Sequence, residues 1–341
     1  MYAVQANDEV TPHRAWIRAK ESLFSGRLLV GFPGLTLPDE AVALASQGAL
    51  AGVILFGRNI DSPEQVTALV RQVHAAFAGQ PTPIIAVDQE GGRVQRLAWP
   101  KMPVAPIPAM LACAEFLDFR GFEELGQTVG RDLHRFGFNV DLAPVMDVDT
   151  NPDNPIIGDR AFGRTPGEVS ERALAFARGL ERASIAWCAK HFPGHGDTDL
   201  DSHLALPRLP HDRARLDQVE LPPFRAACEA MAPMVMTAHI VFSTLDPTLP
   251  ATLSPHVVPE ILRRDLAYDG VVASDDLEMK AIRDHFDVDQ IAHGLDAADV
   301  DLALVCYDLA LAAELAQRLP ARPDSTRRLL ALRNRLHTHI P

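Results

Sequence analysis

Fourteen consecutive positions, Lys190-His191-Phe192-Pro193-Gly194-His195-Gly196-Asp197-Thr198-Asp199-Leu200-Asp201-Ser202-His203, bring together a lysine, three histidines and three acids. They follow the apolar run Ser184 to Ala189, and a run that ends in Pro and Gly cannot continue as a strand or become a helix. The polar side chains are therefore expected on a turn-rich loop held by a rigid element. Asp201 stands two residues before His203, where an acid can orient an imidazole and tune its proton affinity. An imidazole of ordinary pKa, about 6.5, can give a proton to a leaving group and take one from water near neutral pH. A second cluster, Ser274-Asp275-Asp276-Leu277, also follows an apolar run. A carboxylate held at the end of a strand can attack an electrophilic carbon and form a covalent intermediate, and Asp275 is the residue chosen for that role. Its neighbour Asp276 reads as the N-cap of a helix beginning at Leu277, which leaves Asp275 to face the chemistry.

Something must hold these side chains. Eight short apolar runs recur along the chain: 28–32, 52–56, 84–87, 138–142, 185–189, 234–238, 270–273 and 302–306. Between them lie stretches with apolar residues at helical spacing, among them 63–77, 122–136, 166–182 and 255–266. Continuous apolar strands alternating with helices indicate a parallel sheet covered on its faces, and eight such units close a barrel. The alternative is an open doubly wound sheet, which usually carries a glycine-rich phosphate loop after its first strand; Gly31-Phe32-Pro33-Gly34 lacks that spacing. The expected architecture is a single (β/α)8 TIM-type barrel over residues 1–341. Within it, 1–25 are an N-terminal extension and 324–340 a final helix packed on the outside.

In a parallel barrel, chemistry gathers where the strands end. Asp88, Asp141, Lys190 with His191, His239 and Asp275 all sit at the ends of runs, so one rim is expected to collect them. A single polar residue after a strand is usually a cap or turn former. Their coincidence on one rim is not explained that way.

Composition narrows the partners. The net charge of −13 lacks the basic surplus that nucleic acid or anionic lipid requires, so a small neutral molecule is expected, with no nucleic acid and no membrane. Cys113, Cys188, Cys228 and Cys306 lie far apart, without the close pairs of zinc or redox motifs, and read as reduced core thiols. The first twenty residues have no apolar core of a secretory signal, which points to the cytoplasm. The three Trp residues and the segment 231–236 read as core packing more than a sugar platform, with Trp99, near Pro100, as a residue that could edge the site. A monomer or weak dimer is expected, and no cofactor is called for.

The stretch 190–203, with Val87-Asp88-Gln89-Glu90-Gly91-Gly92-Arg93-Val94-Gln95-Arg96, Asn154-Pro155-Ile156-Ile157-Gly158-Asp159-Arg160-Ala161-Phe162-Gly163 and Ser274-Asp275-Asp276-Leu277, resembles the β-N-acetylglucosaminidases of glycoside hydrolase family 3. The four motifs stand in the family's order and span most of the chain. The resemblance implies a retaining exo-glycosidase that removes a terminal β-linked N-acetylglucosamine. It puts Asp275 on the nucleophile, His203 on the acid/base and Asp201 on its partner. It places Asp88, Arg96, Arg160, Lys190 and His191 on positions that hold the sugar's hydroxyls and N-acetyl group, a task suited to charge-assisted hydrogen bonds. His195 is assigned to shaping the loop. The short form resembles cytoplasmic enzymes that recycle cell-wall muropeptides, although the spacer 197–200 is more acidic than in those and closer to longer relatives.

Two other chemistries fit these residue types. His191, His195, His203, Asp201 and His239 could supply ligands to zinc, as in metal-dependent amidohydrolases, but no His-x-His pair follows the first strand. A phosphorylase is the closer rival, because a histidine acid/base spares an incoming phosphate the repulsion of a second carboxylate.

Overall fold

The computed structural model describes residues 26–199, 202, 205–337 and 340, and in it eight parallel strands close into one barrel. They are β1 (Leu28–Val30), β2 (Leu50–Leu55), β3 (Ile84–Val87), β4 (Val140–Asp141), β5 (Ala186–Phe192), β6 (Met234–Thr237), β7 (Val271–Asp276) and β8 (Leu302–Val305). Each pairs with its neighbours in chain order, and β1 pairs with β8 to close the ring. Successive side chains on a strand point to opposite faces, and both faces here are dry. Leu29, Ile54, Ala86, Leu142, Cys188, Met236, Ala273 and Leu304 pack together in the lumen. Their sequence neighbours Val30, Val53, Val87, Trp187, Val235 and Val272 pack outward beneath the helices.

Each apolar run holds one strand, and β3 has the expected bounds. The fourth shrinks to two residues. The fifth and seventh run on past the apolar residues: Lys190, His191 and Phe192 belong to β5 itself rather than to the loop after it, and β7 extends through Asp276. The ladder explains the difference. The Phe192 carbonyl accepts the Ala238 N–H at 2.7 Å and the Lys190 carbonyl accepts the Met146 N–H at 2.6 Å, so the backbone stays paired while its side chains turn polar.

The helices start where the sequence supplies caps. Thr165 and Glu168 form a reciprocal capping box ahead of Pro166–Arg182, and Ser62 accepts the Gln65 N–H ahead of Pro63–Ala76. Asp118 caps Gly121, so the next helix begins at Phe119 rather than at 122. The segment Val257–Asp265 is a wider helix, with the Leu266 N–H bonded to the Ile261 carbonyl.

The final helix spans Pro323–Arg335. Its Leu329 and Leu332, with Leu336 just beyond it, pack into the cluster of lumen residues, so it covers the end of the barrel where the strands begin. Of the residues expected in the core, Met231 is 80% and Trp99 73% exposed, Trp187, Met234 and Met236 are buried, and Trp16 lies outside the described residues. All four cysteines are free thiols, three of them buried. No described helix is long and apolar enough to cross a membrane.

The closeness of the ladder is testable at Gly52, where a Cβ would stand 2.0 Å from the Ile84 carbonyl oxygen. Gly52→Ala must spread β2 from β3. We expect a loss of roughly 1–3 kcal/mol in denaturant unfolding, the usual cost of overpacking.

Candidate active site

Side-chain parity builds the site. On the even-numbered strands the inward positions Ile54, Leu142, Met236 and Leu304 form an apolar floor. On the odd strands the inward set Ala86, Cys188 and Ala273 continues two residues further to Asp88, Lys190 and Asp275. Alternate strands contributing alternate layers is the standard packing of such barrels. Here one layer is greasy and the next is charged. The cavity above the floor is about 180 Å³ and is lined also by Phe56, Glu90, Arg96, Arg160, His191, His195, Ser202, Asp276, Met279 and Cys306.

The Lys190 ammonium is buried, 2% exposed as a residue. It lies 2.8 Å from Asp88 Oδ1 and 2.5 Å from Glu90 Oε1. Arg160 donates to the same Glu90 through both Nε (2.7 Å) and Nη2 (2.9 Å), a planar two-point clasp. Arg96 approaches Asp88 Oδ2 at 3.7 Å. Three cations and two carboxylates thus offset one another, which is what makes their burial tolerable. Burial would lower the Lys190 pKa, but Asp88 and Glu90 outweigh it and raise it. Burial likewise works against the ionised Glu90, and Arg160 and Lys190 overcome it to hold that carboxyl well below its usual range. Lys190, Glu90 and Arg160 stay charged.

Loops are pinned so that these groups converge. Gln89 donates to the Leu97 carbonyl and accepts the Arg96 and Leu97 N–H groups, folding residues 89–97 back over the site. Asn154 accepts the Ile156 and Ile157 N–H groups at 2.8 Å and donates to the His195 carbonyl at 2.9 Å, tying the loop that carries Arg160 to the loop after β5. Gly196 is required at that seam, because a Cβ there would stand 1.8 Å from the Val148 carbonyl oxygen.

His191 is oriented by Asp147, fully buried in the loop after β4. Asp147 Oδ2 lies 2.7 Å from His191 Nδ1, and Oδ1 accepts the His195 N–H at 2.7 Å. A carboxylate accepts, so Nδ1 carries the proton and Nε2 is left as the other polar atom of the ring. Burial would raise the Asp147 carboxyl, but His191 outweighs it and the pKa falls. His195 lies 2.9 Å from Thr198 Oγ1 through Nδ1 and 3.0 Å from Ser202 Oγ through Nε2, which agrees with a loop-shaping part. Burial, then His191, pulls its pKa down to about 4, so the ring is neutral.

Asp275 lines the cavity at the end of β7, and its Oδ1 accepts the Asp276 N–H at 2.8 Å. Burial alone would raise its pKa. The imidazoles of His191 and His239, that N–H and Lys190 more than offset this and lower it. Asp276 differs. Its Oδ1 accepts the Glu278 and Cys306 N–H groups, and burial, against those hydrogen bonds and with the repulsion of Glu278, lifts it to about 6. It caps a turn over 277–279 rather than a helix start, since the next helix spans Lys280–Arg283.

Of the sequence-derived site, Asp88, Arg96, Arg160, Lys190, His191 and Asp275 share one cavity. Asp201 and His203 lie outside the described residues; Ser202, between them, is described, is buried and lines the cavity. Asp141 is not on the rim: it sits between inward-facing Val140 and Leu142, its Oδ1 accepts the Gln89 N–H, and burial pushes its carboxyl well above the usual range. His239 bonds Thr252 and the Asp276 carbonyl and does not line the cavity. Of the histidines weighed as zinc ligands, His191, His195 and His239 are thereby committed elsewhere and His203 lies outside the described residues; among the described residues no group of three or more His, Cys, Asp or Glu could hold a metal. Sequence reasoning passed over Glu90 and Asp147. Period-two spacing from Asp88 could have found Glu90; Asp147 had no local signal tying it to a histidine 44 residues away.

The model for the glycosyl hydrolase family 3 N-terminal domain matches residues 28–325. A beta-hexosaminidase of Alkalilimnicola ehrlichii is 37% identical over 314 residues, covering 91% of this chain and 89% of its own. One of Methylococcus capsulatus is 39% identical over 290 residues, 83% and 84% of the two chains. Among solved structures, NagZ from Neisseria gonorrhoeae in complex with N-trifluoroacetyl-D-glucosamine has a TM-score of 0.82 at 32% identity, covering 93% of this chain and 92% of that one. A β-N-acetylglucosaminidase of glycoside hydrolase family 3 from Paenibacillus sp. has a TM-score of 0.88 at 38% identity; the match takes in 93% of this chain but 62% of that longer one.

The electrostatics make a signed prediction. Because the Asp275 pKa is depressed, the carboxylate persists as pH falls and is lost only below the ordinary aspartate value of about 3.9. Titration by NMR of carboxyl-labelled aspartate, assigned with Asp275→Asn, should give a midpoint below that value, and His191→Ala should move it upward.

Proposed function

The chain belongs to glycosyl hydrolase family 3 and is a glycoside hydrolase, and from that premise we propose a retaining exo-β-N-acetylglucosaminidase that acts through Asp275 and His203. The observation that carries the reading is the depressed Asp275 carboxylate beside a cavity that the Lys190 cluster has lined with charge-assisted donors and acceptors. At about 180 Å³ the cavity lies below the range of a drug-sized ligand, which suits one sugar unit. The bound ligand of the Neisseria gonorrhoeae structure, N-trifluoroacetyl-D-glucosamine, points to the same class of sugar.

Asp88, Arg96, Arg160, Lys190 and His191 hold the terminal sugar. Asp275 attacks the anomeric carbon as the bond to the leaving oxygen breaks, and His203, its imidazolium oriented by Asp201, gives that oxygen a proton. The product is a glycosyl ester on Asp275. Neutral His203 then takes a proton from water, whose oxygen attacks the anomeric carbon and restores the carboxylate. Two inversions leave the configuration retained. The roles of His203 and Asp201 rest on their place in the motif 190–203.

The natural substrate in this reading is a GlcNAc-containing muropeptide or disaccharide, turned over in the cytoplasm by a monomer or weak dimer whose whole chain serves one catalytic barrel. No cofactor enters any step.

Activity on an aryl N-acetyl-β-glucosaminide tests the reading. Asp275→Asn should lose at least about a thousandfold in kcat, as removal of a nucleophile does, and near wild-type turnover would refute it. His203→Ala should lose less with good leaving groups than with poor ones. Trapping with an activated fluoroglycoside should add one sugar mass to the peptide containing Asp275, and added phosphate should yield no sugar 1-phosphate.

A further inference from the structure

His239 takes no part in that chemistry, yet it is wholly buried and lies within interaction range of Asp275. Its Nε2 lies 3.0 Å from the main-chain oxygen of Asp276, and its Nδ1 lies 2.8 Å from Thr252 Oγ1. A carbonyl only accepts, so Nε2 carries a proton and donates it. Thr252 Oγ1 lies 2.9 Å from Thr237 Oγ1, which reaches the Ala273 carbonyl at 3.4 Å. A series of polar contacts therefore runs from the carbonyl of residue 273 past Thr237, Thr252 and His239 to the carbonyl of residue 276. It brackets Asp275.

The backbone between those two carbonyls has left its ladder. On the β8 side Ala273 pairs with Leu302 and Asp276 with Leu304, so three steps along β7 match two along β8. Such a bulge re-aims a side chain and leaves backbone groups unpaired. Side chains replace the ladder there: Ser274 Oγ accepts the Leu304 N–H, and Asp276 Oδ1 accepts the Cys306 N–H. On the β6 side the register ends at Ala273 opposite Met236. Past that point His239 reaches across to Asp276.

We propose that His239 is a positioning residue for the nucleophile: its imidazole, braced by Thr252 and Thr237, holds the bulged end of β7 so that Asp275 faces the anomeric carbon. The inference rests on the nucleophile reading above. Misplacing a reacting group by about 1 Å costs roughly a hundredfold in rate. His239→Ala should therefore lower kcat roughly ten- to a hundredfold by that measure, with KM moving much less, since the sugar is held by other strands.

The decisive comparison is between His239→Gln and His239→Asn, each assayed as the full chain on the aryl glycoside. A Gln amide nitrogen reaches the place of Nε2 and can still donate to the Asp276 carbonyl; an Asn amide stops near Nδ1. Gln should recover most of the lost kcat and Asn should not, and this contrast decides the matter even where the Ala variant fails to fold. Equal kcat loss in Gln and Asn, or wild-type kcat in His239→Asn, would overturn the proposal and leave His239 a merely structural core residue. Failure of the nucleophile reading shows separately, as turnover that survives Asp275→Asn.

Discussion

The Lys190 ammonium must not be left unpaired, and most of the site follows from that constraint. A buried cation is costly unless carboxylates and hydrogen bonds surround it, and removing one partner leaves an uncompensated charge. Asp88 and Glu90 meet Lys190, Arg160 clasps Glu90, and Arg96 approaches Asp88. These residues come from the end of β3, the segment after it, the loop after β4, and β5. Satisfying one charge therefore fixes several loops at once. The same cluster presents donors and acceptors to the cavity.

Around this cluster the imidazoles are sorted by their partners. His191 is backed by Asp147, so its proton is on Nδ1. His195 is neutral and ties Thr198 to Ser202, and His239 spans the strand end that carries Asp275. Three chemically equivalent rings thus acquire different parts through hydrogen bonds to different neighbours, His191 and His195 at the cavity and His239 behind it. The two adjacent aspartates at 275 and 276 diverge for the same reason. Asp275 is lowered by the neighbouring imidazoles, an N–H and Lys190, whereas for Asp276 burial, joined by the repulsion of Glu278 and Asp275, outweighs its N–H donors and lifts it to about 6.

Much of this was legible in the chain. The eight apolar runs each yield a strand because a parallel barrel buries both faces of its strands, and a run apolar at every position records that directly. Polar residues after those runs mark the end where chemistry sits. What the runs could not give was parity: Asp141 stands at a strand end like Asp88, but it falls on the outward phase between Val140 and Leu142. Nor could they show that β5 continues through Lys190 and His191, because the loss of apolar side chains there reflects the cavity they face rather than the end of pairing.

The amino-acid order alone determined the alternation of strand and helix, the rim that carries Asp88, Lys190 and Asp275, and the motifs of the family, since each is written in local spacing. Only the closed barrel decided which of the rim residues meet, that Asp147 backs His191, that Glu90 joins Lys190 to Arg160, and that the last helix covers the open end of the lumen. Those outcomes depend on contacts between residues tens to hundreds of positions apart, and on the desolvation that makes each charge demand a partner.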